Sequence, residues 1–136
     1  MRVFFDTNVL VSAFAARGLC ADLMRLVLTE HTLLTGEVNI TELHRVLTER
    51  LHASPATIEL VDRALQLAEL VPAPERVLAI DVRDADDAWV LASAAAGDAA
   101  MLVTGDQDLL VLGAHAPLPI VTPREAWIRL RGSDIE

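Results

Sequence analysis

The 136-residue chain is long enough for one domain and too short for two ordinary ones, and its 53% hydrophobic content supplies a packed core, which excludes a disordered chain. Twenty acidic against eleven basic residues give a formal net charge of −9, so the chain is no general nucleic-acid binder unless some carboxylates are committed to cations. Every basic residue is arginine, lysine and tyrosine are absent, and the one cysteine, Cys20, excludes an internal disulfide framework and a cysteine-rich zinc site.

Residues 2–5 are a short run of strand formers closed by Asp6-Thr7-Asn8, which predicts a buried strand ending at Asp6. Residues 9–16 predict a short helix. Residues 19–30 carry Leu19, Leu23, Leu26 and Val27 at helical spacing, and residues 31–35 predict a strand stopped by Gly36. Residues 37–51 repeat the helical period with Ile40, Leu43, Val46 or Leu47, and Leu51. Ser54 then caps a helix with Pro55 at its first position, and the spacing of Ile58, Val61, Leu65 and Ala68 carries that helix to about Leu70. Residues 77–82 predict a strand. Asp84-Ala85-Asp86-Asp87 opens a helix through Ala96, with Gly97 at its end. Residues 101–103 predict a strand followed by Thr104-Gly105-Asp106, residues 119–121 a last strand, and Pro123 starts a terminal helix to Arg131, which leaves 132–136 as a loose tail. No uncharged stretch approaches the length of a membrane span, and Asp6 interrupts what would be the apolar part of a signal peptide, so the cytoplasm is the expected compartment.

Strands alternating with helices predict an α/β domain over residues 1–131, with a parallel sheet between two layers of helices. Open parallel sheets bind ligands outside the carboxyl ends of their strands. Asp6 ends the first strand, Asp106 follows the strand at 101–103, and Asp87 sits in the first turn of the helix after the strand at 77–82. Glu42 lies mid-helix at the border of the apolar face. Each has a local explanation: a turn residue for Asp6, Asp106 and Asp108, a cap or first-turn acid for Asp84 and Asp87, a pair with Arg45 for Glu42. Their conjunction is what points to chemistry. Carboxylates brought within a few ångströms repel one another unless a cation is present, and hard oxygen ligands suit Mg²⁺ or Mn²⁺. Such an ion leaves positions open for phosphate oxygens and for an attacking water.

Four segments carry a family resemblance. The run Val3-Phe4-Phe5-Asp6-Thr7-Asn8-Val9-Leu10 looks like the opening of PIN-domain nucleases, and Thr41-Glu42-Leu43-His44-Arg45 resembles their second acidic helix. Arg83-Asp84-Ala85-Asp86-Asp87-Ala88-Trp89 resembles the third motif and Val103-Thr104-Gly105-Asp106-Gln107-Asp108 the fourth. All four occur in family order across nearly the whole chain, with the greatest likeness to bacterial VapC-like toxin components of toxin–antitoxin systems. The resemblance implies a three-layer α/β/α PIN-like sandwich and a metal-dependent ribonuclease using Mg²⁺ or Mn²⁺. Its acidic quartet would be Asp6, Glu42, Asp87 and Asp106, as catalytic groups and metal ligands. Asp108 would be an auxiliary acid, with Asn8 and Thr104 tying the strand-end loops together. Helical register with Val90, Leu91 and Ala94 favours Asp87 over Asp86. The resemblance further implies an RNA substrate, products with a 5′-phosphate and a 3′-hydroxyl, a protein antitoxin, a homodimer and no membrane association.

Two other families open on a strand followed by aspartate, the haloacid-dehalogenase-like phosphatases and the phospho-receiver domains. Both set a lysine against the phosphoryl group, and this chain has none. The remaining alternative is a non-catalytic PIN-like protein-interaction module. Phosphate contacts fall to arginine, with Arg17, Arg45 and Arg83 nearest the acidic motifs in sequence. Trp89 and Trp127 are expected in the core, His44 and His52 on exposed helix faces, and Cys20 as a small buried residue.

Overall fold

The computed structural model describes residues 1–77 and 85–135, with side chains up to residue 132. The expected strand at 77–82 falls outside the described residues except for Val77, and so do Arg83 and Asp84. The strands are β1 (Arg2–Phe5), β2 (Thr32–Gly36), β3 (Glu69–Val71), β4 (Met101–Val103) and β5 (Ile120–Val121). The helices among the described residues are α1 (Thr7–Ala15), α2 (Leu19–Glu30), α3 (Glu37–Glu49), α4 (Pro55–Leu65), α5 (Ala85–Ala96), α6 (Gln107–Leu110) and α7 (Pro123–Ile135). None of them is long and apolar enough to cross a membrane.

All strand pairings are parallel, in the order β3-β2-β1-β4-β5. Side chains alternate across a strand, so β1 builds both halves of the core. Val3 and Phe5 point into the larger cluster, with Leu33, Met101 and Val103 from neighbouring strands and with Val9, Leu10, Leu23, Leu43, Leu47, Val61 and Leu130 from α1, α2, α3, α4 and α7. Phe4 points to the other face, where Leu34, Val71 and Leu102 meet Val90, Leu91 and Ala94 of α5 and Leu109 of α6. The sheet is covered on both sides, which is why its strands read as continuous apolar runs. The three-layer α/β/α expectation is met, with the sheet wholly parallel.

Several boundaries differ from expectation. The helix expected to run from 55 to about 70 ends at Leu65, and Glu69–Val71 is an edge strand paired to β2 (Leu34↔Glu69, Gly36↔Val71). Three residues are too few to display a period of two, and the apolar spacing up to Ala68 masked the turn at 66–68. Leu67 and Leu70 are exposed. The four-residue α6 and a 3₁₀ turn at Gly113–His115 went unpredicted because each buries at most one side chain. The last helix continues beyond Arg131 to Ile135, so residues expected as a loose tail begin as helix. A lone Gly132 costs a helix about 1 kcal/mol and does not stop it.

The chain runs outward from β1 through β2 to β3, then returns to lay β4 on the other side of β1. The strand order therefore reverses between β1 and β4. Outside the carboxyl ends of those two strands is the crevice where doubly wound sheets bind ligands.

Candidate active site

The loops that leave β1 and β4 meet in this crevice. Asp6 follows β1 directly and caps α1, accepting the Thr7 N–H on Oδ1 at 2.8 Å. Its backbone N–H donates to the Val103 carbonyl at 3.0 Å, which extends the β1–β4 ladder by one residue. Thr104 follows β4 and is completely buried. Its hydroxyl donates to Asp6 Oδ2 at 2.7 Å and accepts the Asp106 N–H at 3.0 Å. Asn8 Nδ2 donates to Asp6 Oδ2 at 3.0 Å and to Thr104 Oγ1 at 3.3 Å, while Asn8 Oδ1 accepts the Gly105 N–H at 3.0 Å. Asn8 and Thr104 thus link the two strand-end loops. Asp106 caps α6 by accepting the Asp108 N–H on Oδ1 at 2.9 Å, which points both acids into one short turn.

A fourth donor to Asp6 comes from Asn39, which sequence reasoning missed. Asn39 is fully buried in the first turn of α3. Its Nδ2 donates to Asp6 Oδ1 at 3.2 Å and to Thr7 Oγ1 at 3.0 Å, and its Oδ1 accepts the Gly36 N–H at 3.3 Å. Gly36 is required by close approach, since a Cβ there would stand 2.9 Å from Asn39 Oδ1 and 3.1 Å from Ser93 Oγ. The available signal was positional: Asn39 precedes Glu42 by three residues and so shares its helix face.

Asp6 is 5% exposed, and its two oxygens accept Thr7 N–H, Asn39 Nδ2, Asn8 Nδ2 and Thr104 Oγ1. A carboxylate offers about four lone-pair sites, so this one is filled by protein. Burial pushes its pKa above the ordinary aspartate value, the Thr104 hydroxyl and the Thr7 N–H oppose that, and the charges of Glu42 and Asp106 push it up again. The Glu42 carboxylate is half-exposed, accepts from Thr7 Oγ1 at 3.2 Å, and lies 4.0 Å from Arg45 Nη2.

Asp6, Glu42, Asp87 and Asp106 line a single cavity of about 350 Å³, together with Thr7, Asn8, Asp86 and Arg50. The structure therefore brings the sequence-predicted quartet together from four separate segments. It also divides it. Asp87, Asp106 and Asp108 each offer one carboxylate oxygen within 4.8 Å of the others, while Asp6 and Glu42 lie outside that tight group. Of the two neighbouring acids on α5, Asp87 is buried and belongs to the group, and Asp86 is exposed at the cavity wall. An oxygen-only donor set holding three like charges fits a hard divalent cation of the Mg²⁺ or Mn²⁺ class, and neither histidine nor cysteine competes for it among the described residues.

The remaining nominees separate. Arg45 lies on the wall of an adjoining hollow, Arg17 lines neither, and Arg50, unexpected from sequence, lines the acid cavity. Trp127 packs on the larger core cluster as expected, and Trp89 is mostly buried but, among the described residues, is in neither cluster. His44 is not a free surface residue, because its Nε2 meets Asp62 Oδ1 at 2.6 Å and ties α3 to α4. Cys20 is partly buried against the larger core cluster.

Comparison with known proteins places the fold. A family model described as "PIN domain" matches residues 2–108. VapBC2 from Rickettsia felis, solved bound to a DNA fragment from their promoter, contains a chain 16% identical, with a TM-score of 0.64 over 90% of this chain and 98% of that one. PAE2754 from Pyrobaculum aerophilum is 19% identical, with a TM-score of 0.69 over 97% of this chain and 90% of that one. No curated protein sequence matches the chain. With the match covering most of its length, and its acids gathered at the switch point of a 3-2-1-4-5 parallel sheet, the chain belongs to the PIN-domain family.

Proposed function

We propose that the protein is a metal-dependent endoribonuclease, its PIN-like domain spanning residues 1–131, that hydrolyses RNA phosphodiester bonds, leaving a 5′-phosphate and a 3′-hydroxyl. The observation that carries this reading is one cavity lined by Asp6, Glu42, Asp87 and Asp106, supplied by four separate segments of a PIN-domain chain. In this reading Asp87, Asp106 and Asp108 hold one divalent ion, Mg²⁺ or Mn²⁺, with Asp108 taking a direct part. When bound, that ion supplies positive charge for the phosphate oxygens and for a developing hydroxide. Asp6, its acceptor sites filled by four protein donors, holds the loops after β1 and β4 in register and adds negative potential at the ion. Any contact of Asp6 with the ion then runs through water. Glu42 stands half-exposed at the cavity and hydrogen-bonded to Thr7, where it orients the attacking water and takes up its proton.

The fold shared with VapBC2 and the four motifs support a place for the chain as the toxin of a toxin–antitoxin pair with a protein antitoxin as partner; a homodimeric state and a cytoplasmic location follow from the motif resemblance alone. The test is cleavage of single-stranded RNA by folded protein with Mn²⁺ present. Asp106→Asn is expected to lower it by on the order of 10²–10⁴-fold and Asp6→Asn to reduce it severely. Unchanged cleavage in both variants refutes the assignment, and a folded wild-type protein that binds an antitoxin yet cleaves no RNA makes it a non-catalytic PIN-like interaction module.

A further inference from the structure

Glu42 stands on a helix face that separates two hollows. On one side Glu42 and Val46 of α3 and Arg50 at its C-cap, spaced i, i+4 and i+8, line the acid cavity. On the other, Val38, Thr41 and Arg45 of α3 oppose Trp89 of α5 across a second hollow of about 260 Å³. Glu42, Asp86 and Val90 line both, so the hollows form one groove along the α3–α5 boundary.

Two side chains in this groove carry chemistry that suits a nucleic acid strand. Trp89 is mostly buried but keeps part of its indole on the wall of the second hollow, and among the described residues it is a member of neither core cluster. Arg50 lines a cavity walled by Asp6, Glu42, Asp86, Asp87 and Asp106, yet its guanidinium makes no ion pair or side-chain hydrogen bond among the described residues. Arg50 is an exposed arginine at the cavity mouth with no side-chain partner among the described residues, and it is available to an anion. An indole on a groove wall is available to a planar ring. Single-stranded nucleic acid combines those two chemistries: its backbone tracks cations and its unstacked bases lie on aromatic faces.

Resting on the nuclease reading above, we propose that this groove seats a single strand of RNA, with a base stacked on Trp89 and a phosphate held by Arg50. The linkage between those two contacts then lies over Glu42, Asp87 and Asp106. Stacking is the larger part of the affinity, because the carboxylates oppose the backbone charge and, among the described residues, Arg45 and Arg50 are the cations that line the groove. Trp89 accordingly selects the base beside the cut, and Arg50 positions the strand without reading its sequence. A duplex does not fit this scheme, since its bases are already stacked on one another.

The test uses full-length protein carrying Asp106→Asn, to stop cleavage, and Trp127→Phe, so that emission reports Trp89 alone. The probes are short oligouridylate and oligoadenylate strands. Saturable quenching of Trp89 is expected with both. Trp89→Leu should weaken binding by about tenfold or more, and Trp89→Phe should restore most of it. Arg50→Gln should weaken every strand alike and flatten the dependence of log K on log salt by about 0.7, the share of one single-strand phosphate contact. With Asp106 restored, Trp89→Leu should raise KM and change the preferred base beside the cut while Arg50→Gln raises KM without changing it. Binding without quenching, or unchanged affinity in Trp89→Leu together with an unchanged salt slope in Arg50→Gln, overturns the groove. So does the absence of any oligonucleotide binding. Cleavage that persists with unaltered base preference in both groove variants removes the groove and leaves the nuclease reading standing; strands that bind as described to a protein that never cleaves do the reverse.

Discussion

The two edges of the sheet treat charge in opposite ways. At the amino edge, Arg2 at the start of β1 pairs with Glu69 at the start of β3 and donates to the Gly97 carbonyl from Nε at 3.0 Å and from Nη2 at 2.6 Å. The Arg2–Glu69 contact raises the guanidinium pKa and holds the Glu69 carboxyl below its ordinary range. At the carboxyl edge, Asp87, Asp106 and Asp108 crowd together, and the Asp6 carboxyl is raised by burial, with the charges of Glu42 and Asp106 adding to the shift. Pairing opposite charges is what folding alone favours. Gathering carboxylates within 4.8 Å of one another opposes folding unless a cation or other partners offset it, and that is the arrangement the proposed chemistry would use.

If that contrast is right, the edges should respond to substitution in different currencies, and the largest effect is on catalysis. Asp87→Ala or Asp106→Asn should lower RNA cleavage by on the order of 10²–10⁴-fold while the fold survives, since losing the ion forfeits several kcal/mol of charge stabilisation. Glu69→Gln should leave cleavage unchanged. Steady-state cleavage of one RNA by the three variants checks both halves.

Next in size is the response to metal. Mg²⁺ or Mn²⁺ at about a hundred times its dissociation constant should stabilise the wild type by about 2.7 kcal/mol, a rise of several degrees in Tm, and Asp87→Ala should remove that rise. Glu69→Gln should keep it. Thermal melts with and without ion distinguish the cases.

Asn39→Ala joins the two properties. It leaves the Gly36 N–H and one Asp6 oxygen without their present partner in a buried place, for a loss of about 1–3 kcal/mol. Because Asn39 also orients Asp6 and Thr7, denaturant melts should show the stability loss and cleavage assays a fall beyond it.

The smallest effects, and the sharpest contrast in sign, come from pH in metal-free protein. The folded pKa of Asp6 is raised, so its contribution to stability is complete below the ordinary carboxylate range and is lost as pH rises through the raised value. The folded pKa of Glu69 is lowered, so its contribution is present above the ordinary range and is lost as pH falls through the lowered value. Asp6→Asn should flatten the neutral side of the stability–pH curve and Glu69→Gln the acid side. The Glu69 effect should be slight, because that pair is exposed.

The acids were legible in the sequence because each stands at a punctuation point of the chain. Asp6 and Asp106 follow apolar strands, and Asp87 opens a helix. Local pattern was enough to place them at one edge of a parallel sheet, and the motifs supplied Glu42. What local pattern does not carry is which partner a side chain meets across the fold. Asn39 reads as a polar residue in a helix first turn, and only the packing of α3 against the β1 loop turns it into a buried donor to Asp6. Asp108 reads as an ordinary turn acid until α6 turns it toward Asp87. Trp89 has the composition of a core residue, and its place on the α3–α5 groove depends on how those two helices are set against each other. Likewise β3 exists because β2 offers it a ladder, not because Glu69-Leu70-Val71 has a strand pattern.

The account rests on the carboxyl edge holding one divalent ion, and Mn²⁺ titration of the metal-free protein by calorimetry tests that most directly. Saturation at one ion per chain, abolished in Asp106→Ala and retained in Glu69→Gln, is the predicted result. Binding that never saturates, or one equivalent bound equally well by the Asp106→Ala protein, contradicts it.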